Sequence, residues 1–227
     1  MGGGGFSMEP GNLALDCYVL AASETPSPKI CFLGTASGDA QTYIDNFYAA
    51  FRTLDCTPSH LSLFQPHTAD IPAFLLEQNI VYVGGGSTRN LLVLWREWQL
   101  DSILREAWQS GTILAGISAG ALCWFEEGLS DSVLAGDLRP LKCLGFLPGA
   151  FSPHYDGEPN RRPAYQRFIA EEKLGAGYAA DDGAALHFIG TQLHRVVSSR
   201  PNAKAYRVSW TGTDIEETPL PTDLLGS

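Results

Sequence analysis

The sequence Thr112-Ile-Leu-Ala-Gly-Ile-Ser-Ala-Gly-Ala-Leu-Cys-Trp-Phe125 places a serine between two apolar segments. Residues 113–115 are typical of a buried strand, and the small and apolar residues 119–125 predict a buried helix. Ser118 is therefore expected at a strand-to-helix turn. Gly116 and Gly120 complete a Gly-x-Ser-x-Gly pattern, in which larger side chains would collide with neighbouring backbone.

This layout is typical of a nucleophile elbow, a strained turn that lifts the serine hydroxyl out of the top of a sheet. The turn also directs the amide of Ala119 toward an oxygen beside that hydroxyl, which is how a developing oxyanion is stabilised. The pattern alone is not specific, because small residues at such a turn also serve close packing. A nucleophile at Ser118 therefore requires a base, an acid and a second oxyanion donor elsewhere in the chain.

The segments around the turn alternate between strand and helix patterns, which predicts an α/β fold with a doubly wound, mostly parallel sheet. In such sheets, sites form at the carboxyl ends of the strands. The predicted strands are residues 29–35, 61–64, 79–83, 113–115, 144–147 and 177–180, and the predicted helices are residues 13–22, 39–54, 71–77, 91–98, 101–110 and 161–173.

The first and the last parts of the chain predict different local structures. Residues 2–5 are four glycines followed by a helical pattern, so they resemble a strand-to-helix turn, and we expect a first strand ahead of them that this sequence lacks. Residues 184–189 and 193–198 predict a late β-hairpin that turns at Gly190. Residues 131–143 predict a loop. A single domain over residues 1–210 is expected, followed by a polar, surface or disordered tail over residues 211–227.

Composition narrows the functional classes. The 227 residues are 44% hydrophobic and 18% charged, with a formal net charge of −10. That charge argues against nucleic acid or an anionic membrane as a partner. Five widely spread cysteines are typical of reduced thiols in a cytoplasmic protein. The cysteines and histidines lack metal-ligand spacing, so neither a metal nor a cofactor is expected.

His154 is the candidate base, because it follows Pro153 in a polar, glycine-flanked loop after a predicted strand. A base of this kind needs a carboxylate that fixes its tautomer. Asp182 is the candidate acid because it leaves a predicted strand just before a glycine, with Asp181 as a competitor. Asp156 is closer in sequence to the histidine but fits a turn-capping role.

Three consecutive glycines, Gly84, Gly85 and Gly86, follow another predicted strand. Glycines let peptide amides approach a ligand closely, so the second oxyanion donor is expected at Gly85 or Gly86. A glycine-rich loop before a helix also suits phosphate binding. This run lacks the spacing of the common nucleotide-binding motifs, so that alternative is weaker.

Four motifs together resemble the peptidase E group, the aspartyl dipeptidases of serine peptidase family S51. They are Gly-Gly-Gly-Gly-Phe-Ser-Met-Glu-Pro at residues 2–10, Val-Gly-Gly-Gly-Ser-Thr at 83–88, Gly-Ile-Ser-Ala-Gly-Ala at 116–121 and Ser-Pro-His at 152–154. The order serine, histidine, acid also differs from that of α/β-hydrolases. The resemblance implies a three-layer, flavodoxin-like fold related to class I glutamine amidotransferases.

The resemblance further implies a nucleophile at Ser118, a histidine at His154 and an oxyanion glycine in the run 84–86. The third catalytic position is a glutamate in the enteric enzymes and falls on Asp182 here. The arginine that holds the substrate aspartate lies in a stretch that does not align cleanly. Arg161 and Arg162 are its candidates, with Arg167 less favoured.

The expected function is therefore a cytoplasmic serine peptidase of short peptides, in particular a dipeptidase that prefers N-terminal aspartate. Three alternatives stay open: a carboxypeptidase, a cyanophycinase-like peptidase and a catalytically silent binding module. The resemblance also suggests a homodimer or a larger homo-oligomer.

Overall fold

The computed structural model describes residues 1–134 and 136–226 as a mixed α/β protein. The elements in chain order are α1 (Gly5–Met8), α2 (Ala14–Ala21), β1 (Lys29–Leu33), a 3₁₀ helix (Thr35–Ser37), α3 (Gln41–Phe51), β2 (Thr57–Leu61), α4 (Ile71–Leu76), β3 (Ile80–Val83), α5 (Thr88–Glu97), α6 (Leu100–Gln109), β4 (Ile113–Gly116), α7 (Ala119–Leu122), β5 (Phe125–Leu134), β6 (Asp137–Lys142), β7 (Leu147–Ser152), α8 (Arg161–Ala170), β8 (Gly177–Ala180), β9 (Ala184–Ile189), β10 (Gln192–Ser198), β11 (Ala205–Trp210), β12 (Ile215–Pro219) and β13 (Thr222–Leu224).

A parallel sheet with the strand order β2-β1-β3-β4 carries the first half of the chain. Successive residues of β1 point to opposite faces: Ile30 and Phe32 pack with the aromatic stripe of α3, whereas Cys31 and Leu33 pack with α4, α5 and α6. All four side chains are fully buried. Both faces of this sheet are therefore covered by helices, which explains its nearly continuous apolar strands.

The second half of the chain forms a six-stranded mixed sheet of order β12-β11-β8-β7-β5-β6 and a three-stranded sheet of order β13-β10-β9. The described residues thus form three sheets rather than the doubly wound, mostly parallel sheet with a hairpin that the sequence predicted. The parallel strands and the antiparallel hairpin of β9 and β10 confirm the coarser prediction of an α/β fold with a late hairpin.

Several element bounds predicted from the sequence were wrong. The strand predicted at 61–64 is β2, which ends at Leu61, and the helix predicted at 119–125 ends at Leu122. The strand predicted at 144–147 begins only at Leu147, because the preceding amides donate to carbonyls that follow α7. The loop predicted at 131–143 is largely strand, since β5 and β6 pair as an antiparallel hairpin through their backbones with little apolar alternation.

The tail beyond residue 210 lies at the surface and is paired into both later sheets. β12 runs antiparallel to β11, and β13 runs parallel to β10. Its polar side chains gave no strand signal because most of them are exposed. Main-chain pairing, rather than apolar burial, therefore fixes this segment.

The glycine run at the start of the chain lies between the two halves of the fold. The Gly2 amide donates to the Ala184 carbonyl, and Gly3 forms an isolated parallel bridge with Asp182. The Ser118 amide donates to the Met1 carbonyl. An apolar cavity of about 410 Å³ extends from Met1 between β4 and β9. Among the residues described, every helix is too short or too polar to cross a membrane.

Candidate active site

Ser118 occupies the turn between β4 and α7 with φ 53° and ψ −114°, a conformation that non-glycine residues rarely adopt. The flanking glycines are required by close packing. A Cβ on Gly116 would clash with the Gly120 carbonyl, and one on Gly120 would clash with the Val83 carbonyl. The turn therefore has the tight geometry expected of a nucleophile elbow.

His154 reaches Ser118 from the loop after β7. Its Nε2 lies 2.8 Å from the Ser118 Oγ. The residue has φ 52°, and its amide donates to the Gly2 carbonyl. A strained backbone held by such contacts positions the ring over the end of the parallel sheet.

Asp182 completes a hydrogen-bonded chain, with its Oδ1 2.6 Å from the His154 Nδ1. Side-chain exposure is only 14% for the histidine and 23% for the aspartate, so this contact is partly shielded from water. Asp181 points elsewhere: its carboxylate accepts from the Lys204 amide, and burial raises its pKa. Of the two adjacent aspartates, only Asp182 thus contacts the histidine.

The Asp182 loop is held on several sides. Its amide donates to Asp156 Oδ1, and the Arg200 Nε donates to its carbonyl. Arg200 also pairs with Asp156 at 2.5 Å. A Cβ on Gly157 would clash with the Asp182 carboxylate. Asp156 therefore supports the aspartate beside the histidine rather than contacting the ring itself.

The glycine run after β3 lies beside Ser118. A Cβ built on Gly85 would be 3.9 Å from the Ser118 Oγ. Gly86 has φ 134°, and a Cβ built on it would clash with the Ala36 carbonyl. The Gly85 amide donates to the Tyr43 hydroxyl at 3.1 Å. Within residues 1–134 and 136–226, the amides of Gly86 and Ala119 donate to no acceptor. Those two amides are thus available to a ligand.

A pocket of about 410 Å³ opens above these groups. Besides Ser118 and His154 it is lined by Tyr43, Thr42 and Asn46 of α3 and by Ser7 of α1. Sequence reasoning missed these four residues as site residues. Tyr43 belongs to an aromatic stripe that packing alone explained. Thr42 and Asn46 lie in no motif, and Ser7 lies in the motif at residues 2–10 but was given no role there.

The arginines proposed for substrate binding lie away from this pocket. Arg161 is 3% exposed, pairs with Glu158 and donates to the Leu129 carbonyl. Arg162 pairs with Glu217 and stacks over two tyrosines. Arg167 contacts Glu171. Each of the three guanidinium groups therefore already contacts a glutamate carboxylate, and none of the three side chains lines the pocket that contains Ser118.

The model of the family described as Peptidase family S51 matches residues 1–196. The chain belongs to peptidase family S51. It is a family of serine-type peptidases, which agrees with a serine at the sheet edge beside a histidine and an aspartate. In the described part of the chain, no group of three or more histidine, cysteine, aspartate or glutamate side chains is arranged to hold a metal.

Individual relatives agree with this membership. The chain is 64% identical over 226 residues to a Bacillus subtilis (strain 168) protein named uncharacterized peptidase YgaJ, covering 100% of this chain and 97% of that protein. It is 28% identical over 142 residues to Peptidase E of Pasteurella multocida (strain Pm70), covering 59% and 61% of the two chains. The fold is similar to the crystal structure of a peptidase from an acI-B1 actinobacterium, with a TM-score of 0.71, 20% identity and coverage of 100% and 93%.

Proposed function

We propose that this S51 protein hydrolyses short peptides through an acyl-enzyme on Ser118. The observation that carries the proposal is the continuous chain of contacts from Ser118 Oγ to His154 Nε2 and from His154 Nδ1 to Asp182 Oδ1. A serine hydroxyl is a weak nucleophile until a neighbouring base accepts its proton. The three side chains are arranged as that activation requires.

In the proposed mechanism, Asp182 holds the proton of His154 on Nδ1, which leaves the Nε2 lone pair toward the serine. Nε2 accepts the hydroxyl proton as Oγ attacks the peptide carbonyl. The resulting imidazolium is stabilised by the aspartate and gives its proton to the departing amine. A water molecule activated by the same nitrogen then hydrolyses the ester and restores Ser118.

The amides of Ala119 and Gly86 are the proposed oxyanion donors. Ala119 follows the serine, Gly86 lines the same pocket as the serine, and neither amide has another acceptor in the described residues. Gly85 was an equal candidate from the sequence, but its amide is bonded to Tyr43. Gly85 is therefore proposed to orient the loop, and Gly86 to bind the oxyanion.

Preference for N-terminal aspartate remains a prediction from the resemblance, and it gains no support from the positions of Arg161 and Arg162. A different specificity within the same family is favoured by the uncharged rim of the pocket. The carboxypeptidase and cyanophycinase-like activities belong to this second possibility.

The test is hydrolysis of a dipeptide panel by the wild type and by Ser118→Ala. We expect turnover by the wild type and its loss, by at least about a thousandfold in kcat, in the variant. Ser110→Ala, at an exposed helix end, is the matched control and should retain full activity. Undiminished turnover by Ser118→Ala would end the proposal, and a silent binding module would show no turnover by either protein.

A further inference from the structure

The pocket beside Ser118 is built from uncharged groups. Of the described residues that line it, none is a lysine, arginine, aspartate or glutamate, and His154 is the one imidazole among them. The charged groups nearby are paired with one another: Asp182 with the histidine, and Arg200 with Asp156. A charged substrate group in this pocket would therefore meet no partner of opposite charge.

One side of the pocket offers free hydrogen-bonding groups. Thr42 and Asn46 are four residues apart on α3, which places them on the same face of the helix. Both are exposed, and neither side chain is hydrogen bonded within the described residues. The asparagine amide can both donate and accept, and the threonine hydroxyl can do the same.

We propose that this pocket selects a substrate residue with an uncharged, hydrogen-bonding side chain, such as asparagine or glutamine, through Asn46 and Thr42. The inference deepens the proposed peptidase function and rests on it. A carboxylate in this pocket could use only the donors of Asn46 and Thr42 and would find no cation to offset its lost hydration, whereas a side-chain amide can use both their donors and their acceptors. The formal net charge of −10 adds to this selection against an acidic residue.

The sharpest test is an isosteric pair of dipeptides, Asn-Leu and Asp-Leu, which differ in the charge of one side chain. We expect the wild type to favour Asn-Leu by at least about tenfold in kcat/KM. Asn46→Lys supplies the missing cation and should shift that ratio toward Asp-Leu by about tenfold or more. Ala73→Lys adds the same charge to an exposed site on α4, which packs on the opposite face of the parallel sheet from α3, and should leave the ratio within about twofold.

Labelling by a serine-directed fluorophosphonate separates this inference from the proposed function. A protein that labels at Ser118 but prefers Asp-Leu, or cleaves neither dipeptide, overturns the selectivity while leaving the nucleophile in place. A ratio that responds equally to Asn46→Lys and Ala73→Lys overturns the role of Asn46. A protein that neither labels nor cleaves overturns the proposed function and this inference with it.

Discussion

The hydroxyl of Tyr43 accepts a hydrogen bond from the amide of Gly85 at 3.1 Å, one residue before the proposed oxyanion donor Gly86. This contact ties helix α3 to the loop after β3. It also orients the peptide chain that passes Ser118. The geometry of the proposed oxyanion site therefore depends on a residue that the motifs do not include.

Tyr43→Phe is expected to lower kcat by about tenfold with a smaller effect on KM, because the Gly85 amide loses its acceptor and the loop no longer holds Gly86 in place. Stability should fall by only about 1 kcal/mol. Tyr48→Phe is the control on the same helix, since its hydroxyl contacts His60 instead. The measurement is steady-state kinetics of the wild type, Tyr43→Phe and Tyr48→Phe. Equal kcat values would show that the Tyr43 hydroxyl does not contribute to turnover.

Gly157→Ala tests whether turnover depends on the position of Asp182, the proposed acid. The added Cβ would displace the Asp182 carboxylate, which is the partner of His154, so we expect kcat to fall by roughly a hundredfold. Folding should be little affected, because the group that must move is a short side chain rather than backbone. Gly11→Ala is the control, since its Cβ meets nothing within 4 Å. Full activity of Gly157→Ala would show that the position of Asp182 does not limit turnover.

Because the carboxyl group of Asp16 is buried, we expect the free energy of unfolding to depend on pH. Burial raises its pKa from 3.8 to about 6, while the Tyr82 hydroxyl donates to its Oδ1 at 3.0 Å. Between these values the native state binds more protons than the unfolded state, so this group makes the protein less stable as the pH rises from about 4 to about 6. A shift of about two units corresponds to about 3 kcal/mol.

Replacing Asp16 by Asn removes that titration. The free energy of unfolding of Asp16→Asn, relative to wild type, should therefore increase between pH 4 and pH 7 in denaturant titrations. Asp45→Asn, at an exposed site of α3, should reproduce the wild-type dependence. A constant difference between Asp16→Asn and wild type across this range would contradict the assignment.

The sequence predicted those parts of the site that backbone sterics constrain. Ser118 and the glycines around it were recognisable because few residue types fit a tight strand-to-helix turn. His154 was recognisable from its loop at a strand end. The choice between Asp181 and Asp182 could not be made with certainty, because it depends on which face of the strand exit each side chain takes.

Other features depend on tertiary contacts that one sequence does not carry. The β5–β6 hairpin lacks apolar alternation, so its polar residues read as a loop. Arg161 and Arg162 were candidates for an arginine that the family resemblance implies, and only the fold reveals that Glu158 and Glu217 pair with them. Tyr43 was assigned to packing, which is true of its ring but not of its hydroxyl.

The central claim is that Ser118 is a nucleophile activated by His154. Its most direct test is peptide mapping by mass spectrometry after reaction with a fluorophosphonate, in the wild type and in His154→Ala. We predict a single adduct on Ser118 whose formation is at least about a hundredfold slower in the variant, with peptide hydrolysis lost as the adduct accumulates. An adduct on another residue, or hydrolysis that persists after Ser118 is fully modified, would contradict the claim.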